Sequence, residues 1–217
     1  EMLRSLVGSE MCIRDSHIGE GADVLIVAGC GIHNGGDKKS RHDGIHTFYI
    51  GKNARVKYVE KHYGKGDGNG ENVMNPTTIV NIEEGGYMEM ETVQIKGIDS
   101  TNRITEAKLD KDAKIVITER IMTHGNQFAE THFNVDMNGD GSSANVISRS
   151  VAKGNSKQAF YSVINGNAKC TGHSECDAII MDEATVSAVP EITANNIDAS
   201  LIHEAAIGKI AGEQIIK

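Results

Sequence analysis

The chain has no tryptophan, few other aromatic residues and only two prolines. So few aromatics argue against base-stacking platforms and sugar-stacking clefts. Positive charge is also short: 22 Lys and Arg stand against 30 Asp and Glu, a formal net charge of −8. With no basic surplus to neutralise phosphates, neither nucleic acid nor an anionic membrane surface is expected as a partner. There is no uninterrupted apolar run of about 18 residues, so no membrane-spanning helix is expected. No charged, apolar and small-residue succession marks an export signal. The four cysteines, Cys12, Cys30, Cys170 and Cys176, are too few for a disulfide framework in a chain of this length. They point to a reducing cytoplasm in which thiols remain free to react or to bind metal. No Gly-x-Ser-x-Gly, His-Glu-x-x-His or Walker motif occurs, so hydrolase, zincin and nucleotidase readings have no motif behind them.

What is present is a succession of strands and turns. Apolar or alternating segments occur at Asp23–Ala28, Thr47–Ile50, Ala54–Glu60, Thr77–Ile82, Tyr87–Ile95, Arg103–Leu109, Lys114–Ile121, Phe128–Met137, Ala144–Val151, Gln158–Ile164 and Ala178–Met181. In Lys114–Thr118, Ile115 and Ile117 share one face, the period-2 mark of a half-buried strand. A small residue recurs where strands begin: Ala54, Gly86, Ala113, Ala144, Ala168, Ala184 and Ala199, spaced by 32, 27, 31, 24, 16 and 15 residues. These spacings fit one or two copies of a unit of about fifteen, as stacked rungs of a β-solenoid require. An antiparallel sandwich or barrel fits the same short strands. The Gly-rich stretch Gly64–Glu71 reads as an excursion between rungs, since it lacks a Gly-Lys-Ser/Thr ending.

The chain's beginning reads differently. Leu6–Asp15 back-translates, over ten consecutive codons, into a transposase-type sequencing adapter read in frame. Residues 1–16 are therefore expected to be non-native and poorly packed, leaving Cys12 without a function. The native core is expected over residues 17–207, entering near His17. Residues 208–217 are expected to begin a helical region that continues past Lys217.

The densest group of metal-capable side chains is Cys170-Thr-Gly-His173-Ser-Glu175-Cys176-Asp177. Thiolate, imidazole and carboxylate are the ligands of iron and zinc. The Cys-x5-Cys spacing matches no zinc-finger or ferredoxin pattern, and a buried structural role for Cys176 remains open. A second group is His203-Glu204 within a small, apolar stretch. His33, His42 and His46 surround a polar loop, and His62, His124 and His132 are scattered on strands, with no shared metal site evident.

His173-Ser-Glu-Cys176-Asp-Ala-Ile, Val189-Pro190-Glu191-Ile192 and His203-Glu204-Ala205-Ala206-Ile207-Gly208-Lys209-Ile210, in this order, resemble the C-terminal part of the SufB/SufD core. Upstream, Gly44–Tyr58 and His124-Gly125 fit short members of the same family. The resemblance covers roughly residues 22–217 and implies an all-β, right-handed parallel β-helix. It implies a scaffold for iron–sulfur cluster assembly rather than an enzyme. Such a scaffold pairs with a like or related subunit, as a homodimer or a SufB/SufD-type heterodimer. It also works with a SufC-type ABC ATPase and a sulfur donor. The cluster is transient and ATP enters only through SufC. The implied site residues are Cys176 and His203, with Glu204 beside the histidine; Cys170, His173 and Glu175 are lesser candidates. SufD-type subunits typically keep the histidine and lack the cysteine, so a SufB-like site is expected, with a non-ligating SufD-like role as the alternative. A β-helix carbohydrate enzyme is a more remote alternative. Phe128–Met137, where SufB proteins can carry a sulfur-accepting cysteine, has none, which puts an internal sulfur relay in doubt.

Overall fold

The structure is a computed structural model that describes residues 9–65 and 68–210, with side chains from Met11 onward. Fourteen strands follow one another with no intervening helix among the described residues. They are β1 (Ser9–Ile18), β2 (Asp23–His33), β3 (Ser40–Ile50), β4 (Arg55–Lys65), β5 (Asn72–Ile82), β6 (Tyr87–Lys96) and β7 (Ser100–Leu109). The second half comprises β8 (Lys114–Thr123), β9 (Phe128–Met137), β10 (Ser143–Ala152), β11 (Lys157–Gly166), β12 (Thr171–Met181), β13 (Thr185–Ala194) and β14 (Ser200–Ile210). Odd-numbered strands build one seven-stranded sheet and even-numbered strands the other, each in chain order.

Every pairing is parallel, so the fold is a β-solenoid, and the antiparallel alternative is excluded. Parallel neighbours need a long crossover. Here the strand on the opposite sheet supplies it. One coil therefore holds two strands and two corners. The register offset is 32 residues in the first coils (Ser9↔Arg41) and 27 at Tyr87↔Lys114. It is 29 at Thr171↔Ser200. The fifteen-residue unit in the sequence is half of such a coil.

Alternation sets the core. Odd residues of β8 face inward, and Ile115 and Ile117 are buried against Met88, Met90, Phe133 and Val135. Because the side-chain period is two, a one-residue slip would turn this whole set to solvent, so register is strongly specified. The corners repeat a short turn: Ala54 N donates to Gly51 O at 3.1 Å, Ala113 N to Asp110 O at 3.1 Å and Ala184 N to Met181 O at 3.3 Å. Asn53 and Asp112 precede two of these alanines with φ of 54° and 56°, a left-handed conformation that Asn and Asp tolerate. Ala54 and Ala113 are fully buried where the corner meets the core. Pro190 lies on the terminal strand β13. Pro76 lies where the β5–β7 ladder skips Asn75 and Pro76, as a residue without an N–H requires.

At the N-terminal end β1 pairs with β3 along its whole length, while Met11 and Ile13 stand 69% and 61% exposed. Leu6 and Val7 lie outside the described residues. At the other end, β14 runs to Ile210, so Gly208, Lys209 and Ile210 are strand where a helix was expected to begin. Their pairing with Ile179, Ile180 and Met181 holds them in the sheet. Ala211–Lys217 lie outside the described residues. None of the described residues forms a helix long and apolar enough to cross a membrane.

Candidate functional site

The last two even strands carry the residues singled out in the sequence. Cys176 lies on β12 opposite Ala205 of β14, and His203 lies opposite Ser174. Cys176 and His203 are thus on neighbouring strands, staggered by two residues, about 6.6 Å along the strand. Both fall on the inward register, but their environments differ. Cys176 is buried in the core cluster. His203 is exposed, because no coil covers β14 among the described residues. Glu204 falls on the opposite register to His203, paired with Glu175 on the outer face. Cys170 is buried at the corner before β12, where its carbonyl accepts from Ser200 N at 2.9 Å.

Burial pushes the Cys176 thiol up to about 11, and the carboxylates of Glu119 and Asp177 push the same way. Burial also raises Cys170. All four cysteines are free thiols.

Cys176 borders a polar interior that the strand pattern did not reveal. The Glu119 carboxylate, also buried, accepts from Thr131 Oγ1 at 3.1 Å and Ser148 Oγ at 2.9 Å. Arg103 Nη1 lies 3.5 Å from it. Nη2 of Arg103 donates to His62 Nδ1 at 2.8 Å and to Gln94 Oε1 at 3.3 Å. Because guanidinium only donates, the neutral His62 ring carries its proton on Nε2, 3.2 Å from Glu60 Oε1. His46 Nδ1 lies 3.4 Å from the same oxygen and 2.7 Å from the Tyr58 hydroxyl. Burial alone would raise the Glu60 carboxyl, but His62 and the Arg103 charge outweigh it and bring it down to about 2. Burial lowers both His46 and His62, keeping them neutral. Histidines that looked scattered in the sequence therefore converge on one buried carboxylate. The available clue was parity: Tyr58, Glu60 and His62 share the inward register of β4.

Two groups of three metal-capable side chains occur among the described residues, each with ligand atoms within 4.8 Å of one another. The first is Cys30, Glu60 and His62, which places a thiol in the solenoid wall on β2 rather than on β9. The second is His173, Glu175 and Glu204, on the outer face of β12 and β14. Of the residues singled out beforehand, the structure gathers these last three and separates them from Cys176 and His203, which face the other way.

The comparison with known proteins settles which fold family this site belongs to. The profile of the SUF system FeS cluster assembly SufBD core domain matches residues 16–216. The chain belongs to the SufBD core family. A SufBD family protein of iron–sulfur cluster assembly from Archaeoglobus fulgidus is 30% identical over 197 residues, covering 90% of this chain and 52% of that protein. A Methanocaldococcus jannaschii relative with the same family description is 32% identical over 198 residues, covering 90% of this chain and 61% of the relative. A chloroplastic relative from Arabidopsis thaliana is 25% identical over 205 residues, covering 36% of its length. The chain thus spans about half to three-fifths of the length of the archaeal SufBD relatives. The SufBD profile begins at residue 16, and β1 reaches upstream of it.

Proposed function

We propose that this SufBD core is a scaffold subunit on which an iron–sulfur cluster is built at the β12–β14 end of the solenoid, through Cys176 and His203, with Glu204 on the opposite face of β14. The observation that carries the reading is their position on adjacent terminal strands of a SufBD-type core. The cluster is cargo, held transiently by few and mismatched ligands and then released, unlike a resident four-cysteine site. The chain performs no reaction of its own in this reading. ATP hydrolysis belongs to a SufC-type ATPase, and sulfur comes from a separate donor. β13 and β14 each have one hydrogen-bonded neighbour among the described residues. In this reading a second subunit, identical or SufB/SufD-related, docks against these two strands. A partner's His203 or Glu204 would then complete the ligand set that one chain lacks. Free thiols support a reducing, cytoplasmic setting.

The test is anaerobic co-production with a SufC-type ATPase, counting iron and sulfide. Cys176→Ser abolishes the cluster while the β-solenoid circular dichroism persists. His203→Ala lowers the yield less completely, and Cys170→Ser leaves it near normal. Normal iron and sulfide in Cys176→Ser would overturn the scaffold reading. The second reading, a non-ligating SufD-like partner, is favoured by the burial and raised pKa of Cys176.

A further inference from the structure

The outer-face triad His173, Glu175 and Glu204 is not absorbed by a site inside the solenoid. Glu175 and Glu204 are directly paired on adjacent strands. Like charges so placed repel, at a cost that a cation between them removes. Arg149 of β10 approaches Glu175 at 3.4 Å and Asp177 at 3.8 Å, but its side chain is 57% exposed and leaves Glu204 uncompensated. His173 completes the group. Its Nε2 lies 3.6 Å from Glu204 Oε2. Ligands about 2.1 Å from a tetrahedral metal stand roughly 3.4 Å apart, so little movement closes this pair on an ion.

The hydrogen bond behind the histidine is the decisive feature. His173 Nδ1 lies 3.0 Å from Asn145 Oδ1, a carbonyl that can only accept. The Nδ1 proton is therefore engaged, and Nε2 presents its lone pair toward the two carboxylates. An outer-shell acceptor that fixes ring orientation and tautomer in this way is what metal-ligating histidines have. The interior group Cys30–Glu60–His62 has the opposite arrangement. Arg103 donates into His62 Nδ1, which leaves a proton, not a lone pair, on Nε2. Of the two groups, only the outer one is set to receive a cation.

We propose that His173, Glu175 and Glu204, oriented by Asn145, bind a divalent transition-metal ion, ferrous iron in the scaffold reading above, separately from Cys176. One imidazole and two carboxylates suit a borderline cation with open coordination positions and no thiolate. The choice of iron rests on the scaffold reading; the existence of the site does not.

The test is anaerobic titration of the 217-residue chain with ferrous iron, followed by calorimetry. The wild type and Cys176→Ser bind one equivalent with the same affinity. His173→Ala and Glu204→Gln weaken it at least tenfold, and Asn145→Leu about tenfold. Glu204 is 67% exposed in its side chain, so its replacement does not threaten folding. Unchanged binding in both His173→Ala and Glu204→Gln, or loss of binding in Cys176→Ser, overturns the proposal. If the wild type binds iron here but never accumulates sulfide with SufC, the scaffold reading fails and the site stands. Clusters formed at full yield by a chain that binds no ferrous iron at the triad overturn the site and leave the scaffold reading intact.

Discussion

Replacing Arg103 by methionine tests whether the polar interior is held by its charge. Arg103 is 2% exposed and lies between two buried carboxylates, 3.5 Å from Glu119 and linked through His62 to Glu60. At an effective dielectric of about 20, a charge pair at that distance is worth roughly 5 kcal/mol before desolvation. Glu60 is brought down to about 2 against the effect of burial, chiefly by His62 and then by the Arg103 charge, so Arg103 accounts for part of that shift. The Glu60 displacement from an ordinary value near 4.3 corresponds to about 3 kcal/mol at neutral pH. Methionine fills the same channel but leaves Glu119 without its cation and Glu60 with only His46 and His62 beside it, so Arg103→Met is expected to lose about 3–5 kcal/mol. Urea unfolding followed by far-UV circular dichroism measures the loss at pH 7. In a Glu119→Gln background the penalty shrinks by at least about 1 kcal/mol, as expected for groups in one network. The pH dependence has a definite sign. A depressed carboxyl stabilises the fold above its unfolded pKa, and that stability is lost as pH falls through the folded value. Wild-type stability from Glu60 therefore fades between about 4 and 2, and in Arg103→Met it fades at higher pH. A loss below about 1 kcal/mol, or an unchanged penalty beside Glu119→Gln, would refute the charge argument.

Further consequences concern the thiols and the corners. With its thiol at about 11, Cys176 holds about a hundredfold less thiolate at pH 8 than an unperturbed cysteine near 9, so iodoacetamide labels it correspondingly slowly. Rapid labelling of Cys176 in the folded chain, read by peptide mass spectrometry, would contradict this. A raised thiol stabilises the fold below its unfolded pKa and loses that contribution as pH rises through the folded one, so Cys176→Ala flattens the decline in stability between about 9 and 11. A Cβ on Gly64 would fall 1.6 Å from the Gly97 carbonyl oxygen, whereas one on Gly29 meets nothing within 4 Å. Gly64→Ala is therefore expected to cost more than about 2 kcal/mol and Gly29→Ala less than about 0.5 kcal/mol. Equal midpoints in thermal melts would show that the coils separate freely at this point.

Strand content, most of the corner residues and the family are legible in the sequence alone; Ala144 is an exception, lying inside β10 opposite Ile115 while Ser142 takes the corner. Alternation in Lys114–Thr123 and small residues before β4, β8, β13 and β14 are local properties, set by side-chain period and by the space available at a turn. The ordered motifs from His173 to Ile210 carried the resemblance that the profile match bears out. Parallel pairing was not legible from alternation, because parallel and antiparallel strands share the same two-residue period. Nor was the site's division between two faces legible, because it depends on register. A 29-residue coil sets Cys176 against Ala205 and Glu175 against Glu204, burying the thiol and leaving the carboxylates outside with His173. The contact of Arg103 with His62 joins residues 41 apart in the chain, and only the stacking of coils brings them together. Side-chain period is a property of neighbours in sequence. The charges that meet inside the solenoid, and the ligands that meet on its outer face, are set by coil length, which only the packed structure decides.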